Sequence, residues 1–245
     1  DDQADADVRM TPETLAPHLL AEVMEATWPP LSRRTLGPFT LRDGAGGGKR
    51  VSAASCDGPF TDTDLSALET AMAEPLVLIR DGDAALDAAL GARSWRIIDP
   101  VVAYAAPVAA LTADLPGLTA FPHWPPLEIA RSLWAEGGIG PARIAVMGRV
   151  TGPKTALLGR TGDRAAGVAF VACHGAEAMV HTLEVRDAYR RQGLGRSLLH
   201  AAANWAAQQG AARLSLVVTR QNAAARALYA RLGMQDVGQY HYRLK

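Results

Sequence analysis

Arg190-Arg191-Gln192-Gly193-Leu194-Gly195-Arg196 is the stretch on which the reading of this chain turns. It has the form R-x-x-G-x-G and lies between a strand-like apolar run, Met179 to Val185, and a helical pattern from about 194 to 209 that ends at Gly210. Two glycines let the main chain turn tightly and approach a ligand closely, and the first turn of a helix offers unpaired N–H groups with a partial positive charge. The combination predicts a cradle for an anion, best read as a pyrophosphate. Arg190, Arg191 and Arg196 add forked donors that suit phosphate oxygens. Each arginine alone also reads as a solvated charge, but their clustering at the end of a helix dipole that disfavours cations points to a ligand.

Downstream of this turn, residues 213 to 219 read as a strand. Asn222 opens a helix to about Leu232, Gly233 ends it, and Val237 to Leu244 form a last strand. Upstream, three segments at 142 to 150, 155 to 160 and 166 to 173 read as a meander of strands. Thr151-Gly152-Pro153 and Arg160-Thr161-Gly162-Asp163 supply its turns. Phe121 to Glu136 holds a Trp124-Pro125-Pro126 turn and a short helix ended by Gly137-Gly138. Nearer the start, Leu15, Leu19, Leu20 and Val23 mark a helix over 11 to 26, stopped by Trp28-Pro29-Pro30. After Phe39-Thr40-Leu41 come a helix over 62 to 74 capped by Asp62 or Thr63, a strand at 76 to 79 and a helix over 83 to 91. Strand-like segments follow at 95 to 98 and 101 to 106. This alternation predicts an α/β (α+β) fold with a mixed central sheet flanked by helices, and Asp114-Leu115-Pro116-Gly117 marks the expected seam between two halves.

Other chemistries find little support. Gly44-Ala45-Gly46-Gly47-Gly48-Lys49 fails as a nucleotide-binding loop, because only three residues separate its glycines and Arg50 stands where Ser or Thr is needed; it reads as a flexible hairpin turn. Cys56 and Cys173 lack metal-type spacing and do not form a disulfide framework, which fits a reducing cytoplasm. Lysine plus arginine and aspartate plus glutamate each total 25, with no polybasic run, so nucleic acid is not the expected partner. No apolar run approaches the roughly 20 residues that cross a bilayer, and the acidic Asp1 to Asp7 is unlike a signal peptide. Residues 1 to 9, ahead of Met10, read as an extension or tag remnant.

Three motifs in order, Leu183-Glu184-Val185, Arg190-x-x-Gly193-x-Gly195 and Asn222-x-x-Ala225-x-x-Leu228-Tyr229-x-x-x-Gly233-Met234, resemble the GNAT N-acetyltransferase family over residues 118 to 245. The resemblance implies the GNAT acyl-CoA N-acyltransferase fold and acetyl-CoA (CoA) as donor. It places the pyrophosphate on the main chain of Arg190, Arg191, Gln192, Gly193, Leu194, Gly195 and Arg196. It further implies that the pantetheine arm pairs with the main chain of Leu183 and Val185 like an added strand, and that Asn222 touches that arm, though asparagine equally suits an N-cap. Tyr229 sits where many relatives keep the acid that protonates the departing thiolate; a phenol of pKa about 10 can do so. The proton of the attacking amine needs an acceptor. Some relatives carry a glutamate where this chain has Val217, which leaves Glu184, His181 or a water relay. Strand alternation sets Glu184 and His181 on opposite faces unless a bulge intervenes.

Trp28-Pro29-Pro30 through Phe39-Thr40-Leu41-Arg42, with Gly47 to Ala54, looks like the opening of two-lobed bacterial members. On that resemblance, residues 10 to 115 form a degenerate GNAT-like lobe and 116 to 245 the catalytic domain. Trp28, Trp124 and Trp134 are core residues or line the cleft between them. The expected activity is acetyl transfer to a primary amine of a small molecule or a peptide N-terminus by direct attack, with no metal. A CoA-binding module without turnover and a transferase for longer acyl groups are the rivals. The acceptor is not written in any motif, and a homodimer is an open option.

Overall fold

A computed structural model describes residues 16–245. The chain begins with α1 (Pro17–Thr27), β1 (Ser32–Leu36), β2 (Phe39–Asp43), α2 (Lys49–Ser52), β3 (Ser55–Cys56), α3 (Asp62–Ala71), β4 (Leu76–Arg80), α4 (Ala84–Ala92), β5 (Arg96–Pro107) and α5 (Val108–Leu111). It continues with β6 (Ala120–His123), α6 (Glu128–Glu136), α7 (Pro141–Arg149), β7 (Lys154–Thr161), β8 (Arg164–His174), β9 (Glu177–Val185), α8 (Leu194–Gln208), β10 (Arg213–Thr219), α9 (Ala223–Arg231) and β11 (Gln235–Leu244). Leu15 and the extension at 1 to 9 lie outside the described residues. None of the described helices is long and apolar enough to cross a membrane.

Eight strands form one mixed sheet in the order β4-β11-β5-β10-β9-β8-β7-β6, and β1-β2-β3 form a small second sheet. The meander β6 to β9 is antiparallel. β9 and β10 are parallel and joined through α8, as a crossover connection requires. β5 is inserted antiparallel between β10 and β11. The main sheet therefore runs unbroken across the seam at 114 to 117: β4 and β5 come from before it, β10 and β11 from after it.

Alternating side chains send Val102, Tyr104, Leu214 and Leu216 to one face, where α8 and Tyr229 of α9 cover them. On the other face, Val168, Phe170 and Ala172 meet Trp28, Trp134, Val146 and Met147, and Val101 and Ala103 meet Leu20 and Val23 of α1. The small sheet, α3 and α4 bury Phe39, Leu65, Leu90 and Trp95 against Val77 and Ile79 of β4.

Four local expectations change. Residues 142 to 150, expected as a strand, form α7: Pro141 occupies the first turn, and Val146, Met147 and Val150 are buried at helical spacing against β8. The cap of α3 is Thr61, which forms a capping box with Asp64. The glycine-rich turn at 44 to 49 leads into α2 instead of closing a tight hairpin, and it is packed: a Cβ on Gly47 would stand 2.5 Å from Cγ2 of Val146. Segments 95 to 98 and 101 to 106 are parts of the single strand β5.

A bulge in β9 governs the site. Between the pairs Phe170↔His181 and Val168↔Glu184 the register slips, and Thr182 adopts a positive φ of 50°. Nε1 of the fully buried Trp134 donates to the Thr182 carbonyl at 2.8 Å, pinning the bulge to α6. Trp134→Phe leaves that carbonyl without its donor and is expected to destabilise the chain by about 1–3 kcal/mol; denaturant titration reads the loss, and hydrogen exchange should quicken first around Thr182. A fragment starting at residue 116 removes β5 from between β10 and β11. Its dichroism and dispersion are expected to be those of an unfolded or aggregated chain, and a cooperatively folded fragment would contradict this account of the sheet.

Candidate active site

Parallel pairing of β9 with β10 ends at Val180↔Leu216. Beyond it β10 stays on β5 through Thr219, while β9 stays on β8 through Val185, so the two strands part and open a gap in the sheet. The Arg186 N–H bonds to the Ala166 carbonyl at 2.9 Å. By antiparallel alternation, the main-chain groups of Val185 then point away from β8 into the gap. Its carbonyl is taken by Nε of Arg190 at 3.0 Å, which leaves the N–H. The Leu183 side chain packs on the α8 side of the core.

The R-x-x-G-x-G turn stands at the end of this gap. Arg191 and Gly193 both take positive φ, 63° and 88°. The first hydrogen bond of α8 runs from Ser197 N–H to the Gly193 carbonyl. Among the described residues, the amides from Arg191 through Arg196 find no protein acceptor, no side chain caps the helix, and no acidic residue lies in its first turn. Consecutive unpaired amides at a helix N-terminus form a concave anion site. The two glycines serve it differently. Gly193 has open space around it, and its conformation requires glycine; Gly195 lets α9 approach, since a Cβ there would lie 3.3 Å from Leu228.

The arginines divide in the same way. Arg190 is held by Asp187 at 2.9 Å and by the Val185 carbonyl, so it ties the turn to the end of β9. Arg196 donates to Nε2 of His200. Arg191 is exposed and has no partner among the described residues, so its charge is available beside the amides. Gln192 donates to the Ala188 carbonyl and steadies the turn. Asn222 caps α9 through Oδ1, accepting from Ala225 N–H at 3.1 Å.

The bulge sets Glu184 and His181 on one face of β9. Val168 and Phe170 share a face of β8, so their cross-strand partners Glu184 and His181 share the corresponding face of β9. His181 is fully enclosed. Its Nδ1 lies 2.9 Å from the Arg50 guanidinium and its Nε2 lies 2.9 Å from Oγ1 of Thr27. Arginine only donates, so Nδ1 must accept and Nε2 must carry the proton. Burial, then Arg50, hold the imidazole well below its usual pKa. With its basic nitrogen occupied, His181 is unsuited to take a proton from an amine; it positions Arg50.

Glu184 differs. Its carboxyl is half-buried beside Gly137, in a pocket of about 340 Å³ shared with Leu133, Val185 and Arg190. Burial raises its pKa above the usual carboxylate range, partly offset by Arg190 and Arg143. Tyr229 is buried, tilted against Tyr104 at 5.7 Å between ring centroids. Its hydroxyl pKa is pushed up to about 12 by burial and then by the nearby Glu184 charge. A carboxylate made more basic and a phenol held protonated thus flank the gap. Val217 carries no such chemistry and packs beside the apolar cluster under α1.

Of the tryptophans, Trp28 lines the gap and stacks on His181 at 5.0 Å, Trp134 braces the bulge, and Trp124 is 37% exposed beneath Lys154. Sequence reasoning passed over Arg50 and Arg143. Arg50 figured only as the residue that spoils a nucleotide-binding loop, and Arg143 lay in the segment expected to be a strand.

Residues 142–234 match the model of the Acetyltransferase (GNAT) family. An uncharacterized N-acetyltransferase, YobR, from Bacillus subtilis (strain 168) is 34% identical over 61 residues, a quarter of this chain and a quarter of that protein's own length. The GCN5-related N-acetyltransferase from Kribbella flavida superposes with a TM-score of 0.68 at 18% identity, over 94% of this chain and 95% of that one. A tandem GNAT protein from the clavulanic acid biosynthesis pathway gives 0.59 at 17% identity, over 84% and 77%. The whole chain thus shares the fold of these GNAT proteins, and the match to the Acetyltransferase (GNAT) family model falls on the segment 142–234, which carries the turn, the gap and Tyr229.

Proposed function

We propose that this chain is an N-acetyltransferase that moves an acetyl group from acetyl-CoA to a primary amine in a ternary complex. The observation that carries the reading is the row of unpaired amides from Arg191 through Arg196 at the end of a gap between parallel strands. A diphosphate satisfies those donors, and Arg191 adds charge. Acetyl-CoA, when bound, supplies a thioester whose carbonyl is open to attack by an amine.

The chain's own residues do the rest. The Val185 N–H, free and directed into the gap, suits a bond to an extended arm or to the oxygen that gains charge during transfer. Glu184 takes a proton from the amine at its carboxylate, and its raised pKa makes it a stronger base than an exposed glutamate. Tyr229, protonated throughout the neutral range, gives its hydroxyl proton to the departing sulfur. Positioning in the gap supplies the remaining acceleration. Val217, in place of a glutamate, favours the rival reading of a CoA-binding module without turnover, and thiol release over a panel of amines separates the two.

Gly193→Val places a β-branched residue at a φ of 88° where no neighbour crowds it. It is expected to weaken acetyl-CoA binding about tenfold or more by calorimetry, and the strained turn is expected to lower the thermal transition, so the two proteins are compared at a temperature where both are folded. Unchanged affinity would remove the anion site from the account.

Base action by Glu184 requires the ionised form, and burial raises its pKa. The acidic limb of kcat/KM is therefore expected above the ordinary carboxylate pKa of about 4.3, rising with pH; Glu184→Gln should abolish that limb. Tyr229→Phe is expected to lower kcat by roughly 10- to 100-fold with little change in KM for acetyl-CoA, because a thiolate needs only modest protonation help. A Glu184→Gln profile identical to wild type would assign the base elsewhere.

A further inference from the structure

The gap opens on the α1 and α7 side into a cleft of about 260 Å³ bounded by Trp28, Arg50, Asp99, Arg143, Thr182 and Val217. Its charges do not cancel. Lys49 and Asp99 pair at 2.6 Å and neutralise one another. Arg50 and Arg143 have no carboxylate partner among the described residues.

Arg50 is a built feature. It is half-buried, lies 5.1 Å over the Trp28 ring, and points one nitrogen at Nδ1 of His181, which is itself fixed through Thr27 to the Val23 carbonyl. A neutral imidazole orients the guanidinium without compensating its charge. Most of the fork is left unsatisfied, and a partly desolvated cation without a counter-ion is costly unless something anionic arrives. Arg143 stands across the glycine turn, its guanidinium 3.4 Å from the Cβ position of Gly48, and its charge favours the ionised form of Glu184. The two cations therefore border the same cleft, at the mouth of the gap.

Resting on the acetyltransferase reading, we propose that the acceptor is a small amine that also carries an anionic oxygen group, a carboxylate or a phosphate, held by Arg50 and Arg143 while its amine faces the gap between β9 and β10. Two guanidiniums recognise either oxyanion through paired N–H donors, and they repel a purely cationic polyamine. The acidic walls that would favour such a polyamine are absent from this cleft, whose one carboxylate, Asp99, is already paired.

The test uses the full chain loaded with CoA, titrated calorimetrically with matched pairs: an α-amino acid against its amide, and phosphoethanolamine against ethanolamine. The anionic member of at least one pair is expected to bind about tenfold tighter or more, the size of one charge-assisted hydrogen bond. The pair that discriminates more strongly tells carboxylate from phosphate. Arg143→Ala, at an exposed position, should erase most of that preference, and Arg50→Gln should do the same. Equal or tighter binding of the partners that lack the oxyanion, or a preference that survives both substitutions, overturns the proposal while leaving acetyl transfer standing. Failure of the chain to bind CoA in the same calorimeter instead overturns the acetyltransferase reading, and this inference with it.

Discussion

Everything at the site follows from two parallel strands that cease to pair. Up to Val180 and Leu216, β9 and β10 share a ladder; beyond them each is held by its outer neighbour alone, β8 on one side and β5 on the other. A gap of this kind leaves main-chain donors unpaired in the middle of a sheet, a costly arrangement unless a ligand or solvent satisfies them. The insertion of β5 makes it tolerable, because β10 keeps a full partner along its length while it bends away from β9.

The bulge at Thr182 is the second consequence. With one extra residue in β9, His181 and Glu184 fall on one face, and the Trp134 indole holds the displaced carbonyl. Without it Glu184 would point toward α8, away from Gly137 at the end of α6. Two neighbouring polar groups then take opposite roles. His181, enclosed and donated to by Arg50, serves as scaffolding. Glu184, half-buried with its charge only partly compensated, keeps the capacity to bind a proton. The same burial that makes the carboxylate more basic keeps the Tyr229 phenol protonated, so one environment shifts both groups upward.

The N-terminal segment contributes more than a wall. It supplies the strand that separates β10 from β11, the tryptophan that stacks on His181, and the Arg50 whose charge faces the cleft. In the turn at 44 to 49, Gly47 brings the main chain against Val146 of α7. That contact brings Arg50 and Arg143, nearly a hundred positions apart in the chain, to one cleft.

Much was legible from local pattern alone. The R-x-x-G-x-G turn, the helix it opens, the strand at 213 to 219 and the Asn222 cap all appear where glycine conformation, apolar periodicity and capping chemistry put them. These features depend on interactions within a few residues, and a linear sequence records such interactions directly. Residues 142 to 150 were misread because Ile144 and Val146 alternate as in a strand over too short a stretch; in the structure Val146, Met147 and Val150 are buried together at helical spacing. The face on which Glu184 lies, the occupation of the basic nitrogen of His181, the commitment of Arg190 to β9 and the meeting of Arg50 with Arg143 were beyond reach. Each depends on a bulge or on a contact between distant segments, and one inserted residue in a strand reverses every orientation that alternation would assign.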